Sequence, residues 1–283
     1  MPQPYILTLN CPERPGIVHA VTAFLVGQGC DITEHQQFDD TDNGVVFLRT
    51  SFSAPDDTTL DALQERFAAT AEAYAMEWRL RDAGAAPRLL VMVSKFDHCL
   101  ADLLYRWRSG TLDGDIALVV SNHPDLRAQV EQAGVPFLHV PVTRDTKPEA
   151  EARLLALVEE HAVDLVVLAR YMQILSDDLC KALEGRAINI HHSFLPSFAG
   201  AKPYHQAHRR GVKLVGATAH YVTADLDEGP IIEQEVIRVD HRKSADELVR
   251  VGRDAERLAL ARAVNWHCQS RVLLHGNRTV VFD

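Results

Sequence analysis

Hydrophobic and polar positions follow two different rhythms along the chain. In the first, Tyr5-Ile6-Leu7-Thr8-Leu9 alternates as a strand does, and Cys11–Gly16 follows as a turn. Pro15 suits the first position of a helix. Ile17, Val18, Val21, Phe24 and Leu25 then recur at helical spacing until Gly27 and Gly29 stop the run. Asp31–Phe38 and Val45–Phe52 read as strands joined through Asp39–Gly44, where Asn43-Gly44 is a strong hairpin signal. A second helix over Leu60–Tyr74 and a strand over Met76–Leu80 complete a βαββαβ order, that of a ferredoxin-like domain. Arg81–Pro87 carries no periodicity. The spacing therefore predicts a first domain at 1–82, a linker at 83–87 and a second domain at 88–283.

The second rhythm consists of short, continuously apolar runs: Leu89–Val93, Ile116–Val120, Val163–Leu168 and Ala187–Ile190. Strands that are apolar without alternation are covered on both faces, which predicts a mostly parallel sheet. Amphipathic segments near 99–108, 124–133 and 148–161 would supply the covering helices. Val215–Val222 and Ile231–Val239 read as two arms of a hairpin, and a long helix over Ala245–Ala263 closes the domain. The fold class is α/β, with no internal repeat in either half.

Composition narrows the partners rather than the fold. The 283 residues carry 39 acidic against 29 basic side chains, a net charge of −10, the wrong sign for a protein built around nucleic acid. No apolar stretch approaches the roughly 18 residues that a membrane span needs, and Met1-Pro2-Gln3-Pro4 lacks the form of a secretion signal. Cys11, Cys30, Cys99, Cys180 and Cys268 are scattered and odd in number, so they read as reduced thiols of a cytoplasmic protein.

Two polar clusters fall where an open parallel sheet binds ligands, at the carboxyl ends of its strands. The first is Asn189-Ile190-His191-His192-Ser193-Phe194-Leu195-Pro196, in which strand parity puts Asn189 and His191 on one face. An amide beside an imidazole suits a site where negative charge develops on oxygen, and equally a capped loop. The second, Asp225-Leu226-Asp227-Glu228-Gly229-Pro230, is a tight acidic turn that by itself reads as a solvated hairpin tip. His191-His192 and His205-x-x-His208 lack the cysteines or carboxylates that would complete a metal-ligand pattern, so no metal is expected. The residues alone indicate an α/β enzyme without naming its reaction.

Ile188–Pro196 resembles the signature of the folate-dependent formyltransferases, as do Leu168–Leu175 upstream and Asp227–Ile232 downstream, in the same order and spacing across about 88–271. The leading unit resembles an ACT regulatory module. That combination implies a Rossmann-like formyltransferase domain, and the branch of the superfamily that hydrolyses 10-formyltetrahydrofolate to tetrahydrofolate and formate, feeding purine synthesis and balancing one-carbon pools. On this resemblance Asn189, His191 and Asp227 are the catalytic trio. Tyr171, Met172, Gln173, Ile174 and Leu175 with Asp225 and Gly229 would hold the folate, and no cofactor is needed. Pro15, Gly16, Ile17 and Asp31 would form an effector site for a small amino acid between paired modules, implying a homo-oligomer.

The acceptor is where the sequence departs from relatives that formylate an amine. Those carry a glycine-rich loop after the first sheet strand to cradle a phosphate. Here that place reads Ser94-Lys95-Phe96-Asp97-His98-Cys99-Leu100, without a glycine, so water is the expected acceptor. Transfer to a small amine, with Lys95 or Lys202–Arg210 holding the acceptor, and a non-catalytic folate or amino-acid binder are the alternatives.

Overall fold

The structure is a computed structural model that describes residues 3–196 and 203–283; Lys202 of the basic segment lies outside them. The chain gathers into two compact units. One comprises residues 1–86 with 269–275 and 280–283, the other residues 87–268 with 276–279.

The first unit runs β1 (Gln3–Pro12), α1 (Ile17–Gly27), β2 (Asp31–Asp40), β3 (Val45–Ala54), α2 (Leu60–Ala73) and β4 (Glu77–Asp82). Its strands form an antiparallel sheet in the order β2-β3-β1-β4, the ferredoxin-like arrangement. Val21 and Leu25 of α1 and Leu63 and Phe67 of α2 share a buried core with Leu7, Leu9, Leu48 and Phe52 of the sheet. The Thr59 hydroxyl caps α2 by accepting the Ala62 N–H at 3.3 Å. Pro15 does not open α1 as the sequence predicts. Gly16 is the cap, in the left-handed region at φ 97°, and Pro15 precedes it.

The carboxy terminus departs from the expected boundary. Residues 269–275 and 280–283 belong to the first unit, not to a domain running through to 283. The reason is apolar burial: Leu273 and Phe282 pack with Phe47. His275 Nε2 also sits 2.5 Å from Asp40 Oδ2. Hydrogen bonds from Asn43 and from His275 hold the Asp40 carboxyl down at about 2. A folded value below the ordinary 3.8 adds stability above pH 4 that is lost as pH falls towards 2. Asp40→Asn should therefore melt below the wild type at pH 6, with the gap in Tm closing as the pH falls below about 4; a gap independent of pH would contradict this.

The second unit runs β5 (Arg88–Val93), α3 (His98–Arg108), β6 (Asp115–Ser121), α4 (Arg127–Gln132), β7 (Phe137–His139), α5 (Lys147–Glu160), β8 (Leu165–Leu168), α6 (Asp177–Ala182), β9 (Ala187–His191), α7 (Pro203–Arg210), β10 (Leu214–Tyr221), β11 (Ile231–Arg238) and α8 (Ala245–Cys268). A two-stranded ribbon, β12 (Val272–His275) and β13 (Arg278–Val281), ends the chain. The large sheet has the order β11-β10-β9-β8-β5-β6-β7. It is parallel from β7 to β9, and β10 and β11 extend it antiparallel. No residue of Leu89–Val93 is more than 2% exposed, as a strand covered on both faces requires. Among the described residues no helix is long and apolar enough to cross a membrane.

The chain builds β5, β6 and β7 outwards in one direction and then crosses to place β8 on the other side of β5. That reversal opens a crevice at the carboxyl ends of β5 and β8. Ser94, directly after β5, pins it. Its N–H donates to the Arg170 carbonyl at 3.3 Å, and its hydroxyl donates to Asn122 Oδ1 at 2.7 Å while accepting the Met172 N–H at 2.9 Å.

Candidate active site

Strand β9 carries Asn189 and His191 out of the sheet on one face, and β10 sets their neighbours. In the antiparallel register Asn189 lies opposite His220, and His191 opposite Thr218. After β10 the chain turns through 223–230 and returns as β11. Asp227 sits in that turn in the left-handed region, at φ 59°, a conformation Asp tolerates better than most residues. Gly229 holds the turn against the strand end, since a Cβ there would lie 1.8 Å from the Tyr221 carbonyl oxygen. Gly229→Ala must therefore displace the turn that presents Asp227. It should lower kcat by about 10²-fold although no side chain of the site is altered; unchanged kcat would show that the turn's position does not matter.

The polar groups form a connected set. His191 Nδ1 lies 3.1 Å from Asp227 Oδ2, so Nδ1–H donates to the carboxylate and Nε2 is left as the reactive nitrogen. Nε2 is buried and without a hydrogen-bond partner. His220 Nδ1 lies 2.8 Å from the Tyr221 carbonyl and must donate to it. His220 Nε2 is then an acceptor, and the Asn189 atom 3.3 Å away has to be the amide nitrogen. His220 thus sets the Asn189 amide and leaves its second N–H for a ligand.

Charge follows the same geometry. Burial pushes the Asp227 carboxyl up, but the hydrogen bond from His191 and the electrostatic pull of the neighbouring imidazoles outweigh it, so the group lies below the ordinary carboxylate value. Burial lowers His220, which keeps it neutral. His192, whose ring meets that of His191 edge-on at 5.0 Å, is pushed down to about 4 by burial, then by Arg170 and His191.

These groups open on a cleft of about 410 Å³, within the range of small-molecule sites. Of the residues expected to bind substrate, Tyr171, Met172, Gln173, Ile174 and Leu175 line it together with Asn189, His191 and Asp227. Met172 and Ile174 are 53% and 61% exposed, as is Leu226 at 59%, a concentration of uncovered apolar surface that a ligand would bury. Asp225 and Gly229 are not in the lining. Asp225 is exposed, with its carbonyl accepting from Thr223, and Ala224 and Leu226 face the cleft instead. Gly229 is a close-approach residue of the turn.

His220, His192 and Arg170 also line the cleft, and the sequence assigned none of them a role. The only cue to His220 was a lone imidazole inside an otherwise apolar strand. In the first unit Pro15, Gly16 and Asp31 are exposed, whereas Ile17 is 4% exposed and belongs to the core, not to a binding surface.

Comparison with known proteins gives the family. The formyl transferase family model matches residues 87–264. A formyltetrahydrofolate deformylase of Corynebacterium sp. (strain P-1) is 57% identical over 280 residues, covering 98% of this chain and 97% of that protein. Crystal structures of formyltetrahydrofolate deformylases from Pseudomonas syringae and Burkholderia mallei superpose with TM-scores of 0.96 and 0.95 at 50% and 53% identity. Each alignment covers all of this chain, with 95% of the first and 100% of the second. With the family model matching residues 87–264 and relatives more than half identical over nearly the whole chain, this chain belongs to the formyl transferase family.

Proposed function

We infer that the chain hydrolyses 10-formyltetrahydrofolate to tetrahydrofolate and formate, breaking the C–N bond of the formyl group. The observation that carries this reading is the His191–Asp227 pair at the cleft, in which His191 Nε2 is buried and left without a partner. The pterin lies in the apolar part of the cleft, between Tyr171–Leu175 and Leu226. The formyl group is then at its polar end.

There His191 Nε2 takes a proton from water as the water oxygen bonds to the formyl carbon. Asp227 holds the ring in orientation and stabilises the imidazolium that results. The free Asn189 N–H donates to the formyl oxygen as it becomes an oxyanion, a contact worth more in a pre-set, partly buried site than in water. The imidazolium then returns the proton to N10 as the C–N10 bond breaks, and formic acid leaves, giving its remaining proton to solvent to become formate. Each of these steps uses side chains alone, and the reading calls for no cofactor.

The test is turnover of 10-formyltetrahydrofolate by the full chain with no acceptor present. Formate should appear at a rate that added amines do not change. Formate release only in the presence of an amine, with that amine formylated, would make the protein a transferase. In the first unit, a small amino acid bound near Pro15-Gly16 and, across a homo-oligomer interface, near Asp31 completes the reading, in a cytoplasmic enzyme. Gly16→Trp should abolish any response of turnover to amino acids; a response that persists would place the effector elsewhere.

A further inference from the structure

Glu256 of α8 is a carboxylate only 2% exposed, and it belongs to a cluster that the hydrolytic steps do not use. Its Oε2 accepts from His98 Nε2 at 2.8 Å and lies 3.3 Å from Arg170 Nε; its Oε1 accepts from the Tyr204 hydroxyl at 3.2 Å. Burial pushes this carboxyl up, yet the hydrogen bond from His98 and the Arg170 charge bring it below the ordinary value, so it is ionised. Its donor atoms and those of His98 and Cys99 all lie within 4.8 Å of one another, a spacing a metal could use. However, the Arg170 guanidinium already supplies the positive charge, and burial followed by the charge of Glu256 raises the Cys99 thiol well above its ordinary range. The cluster is an internal ion network.

A buried ion pair is commonly no better than apolar side chains of the same volume, and this one also demands unusual local structure. Arg170 sits in the left-handed region at φ 66°. Tyr204 fits only because residue 252 is glycine, where a Cβ would fall 2.0 Å from the ring Cζ. Position explains what the network is for. His98 starts α3, just beyond the glycine-free loop after β5 where a transferase would seat its acceptor, and Arg170 closes over the Phe96 ring at 5.5 Å. Arg170 and His192 in turn line the same cleft as His191. Of the network only Arg170 reaches the cleft, and Glu256, itself bonded to His98 and Tyr204, lies against its guanidinium from behind; a side chain fixed there takes room that an amine would need and water would not.

We propose that Arg170, positioned by Glu256 with His98 and Tyr204, is an acceptor-excluding wall that commits the formyl group to water. The proposal rests on the hydrolytic reading above. With the wall opened, an amine nitrogen bonds to the formyl carbon, the C–N10 bond breaks, N10 takes a proton and the amine gives one up.

The experiment is turnover of 10-formyltetrahydrofolate with glycinamide as the probe amine, reading N-formylglycinamide against formate by mass spectrometry. The double variant Arg170→Gly/Glu256→Gln removes the ion pair jointly, so that no buried charge is stranded, and it gives the left-handed position its preferred residue. The ratio of transfer to hydrolysis should rise by about tenfold or more over the wild type, the lower end of what relieving a steric contact gives. His98→Ala leaves the Arg170–Glu256 pair in place and should raise the same ratio by a smaller factor. It decides the matter if the double variant fails to fold. Folded variants that release only formate overturn the wall, as does a wild type that already formylates glycinamide beside the formate it releases. A wild type that releases no formate contradicts the hydrolytic reading on which the wall rests.

Discussion

Asp227→Asn should lower kcat by about 10³-fold or more, while the dissociation constant for the folate stays within a few-fold of the wild type. The substitution keeps the size of the side chain and an oxygen able to accept from His191 Nδ1, now 3.1 Å from Oδ2. It removes only the negative charge. The neutral ring still binds and still faces the cleft, but the imidazolium formed when it takes the water's proton loses its counter-ion. The loss therefore appears in the chemical step. The wild-type carboxyl lies below 3.8, so it stays ionised from neutral pH down to about 4 and the variant should be impaired throughout that range. Steady-state kinetics with a separate binding measurement checks this. Near-normal kcat would return Asp227 to the role of a solvated hairpin tip.

Asn189→Ala should lower kcat by about 10²–10³-fold, the usual cost of one donor lost from a developing oxyanion. The amide has two N–H groups, and one is committed to His220 Nε2 at 3.3 Å. The other is the donor that counts. His220→Ala should then cost less than Asn189→Ala, because it frees the amide to rotate without removing it. The two losses should not add in the double variant, since His220 acts through Asn189. Additive losses would mean that His220 touches the reacting atoms itself.

Both predictions concern a site only part of which could be read from the chain. Strand parity correctly placed Asn189 and His191 on one face, because a period of two is a local property. The resemblance of Ile188–Pro196, and of Asp227–Ile232 downstream, to the formyltransferase signature then singled them out together with Asp227. His220 was invisible for the opposite reason. Its role comes from the register of β9 against β10, a pairing between residues 31 apart that no local pattern specifies. Asp225 and Gly229 of the same turn were expected to hold the folate, and only the backbone geometry separates a lining residue from its supports.

The same division runs through the fold. The continuous apolar runs stood out because burial on both faces leaves no polar positions in a strand. Strand β7 has three residues and α6 has six, too short for any period to show. The carboxy-terminal segment resembled more of the second domain because nothing local announces that Leu273 and Phe282 are buried with Phe47.

The central claim is that water attacks the formyl carbon in the cleft where Asn189, His191 and Asp227 meet. It is tested most directly by a single turnover of 10-formyltetrahydrofolate in 18O-labelled water without any acceptor, in the wild type and in Asp227→Asn. The wild type should release one formate for each tetrahydrofolate, carrying a single 18O, and the variant should release almost none in the same time. Formate without label, equal release by the variant, or no formate until an amine is supplied would contradict the account.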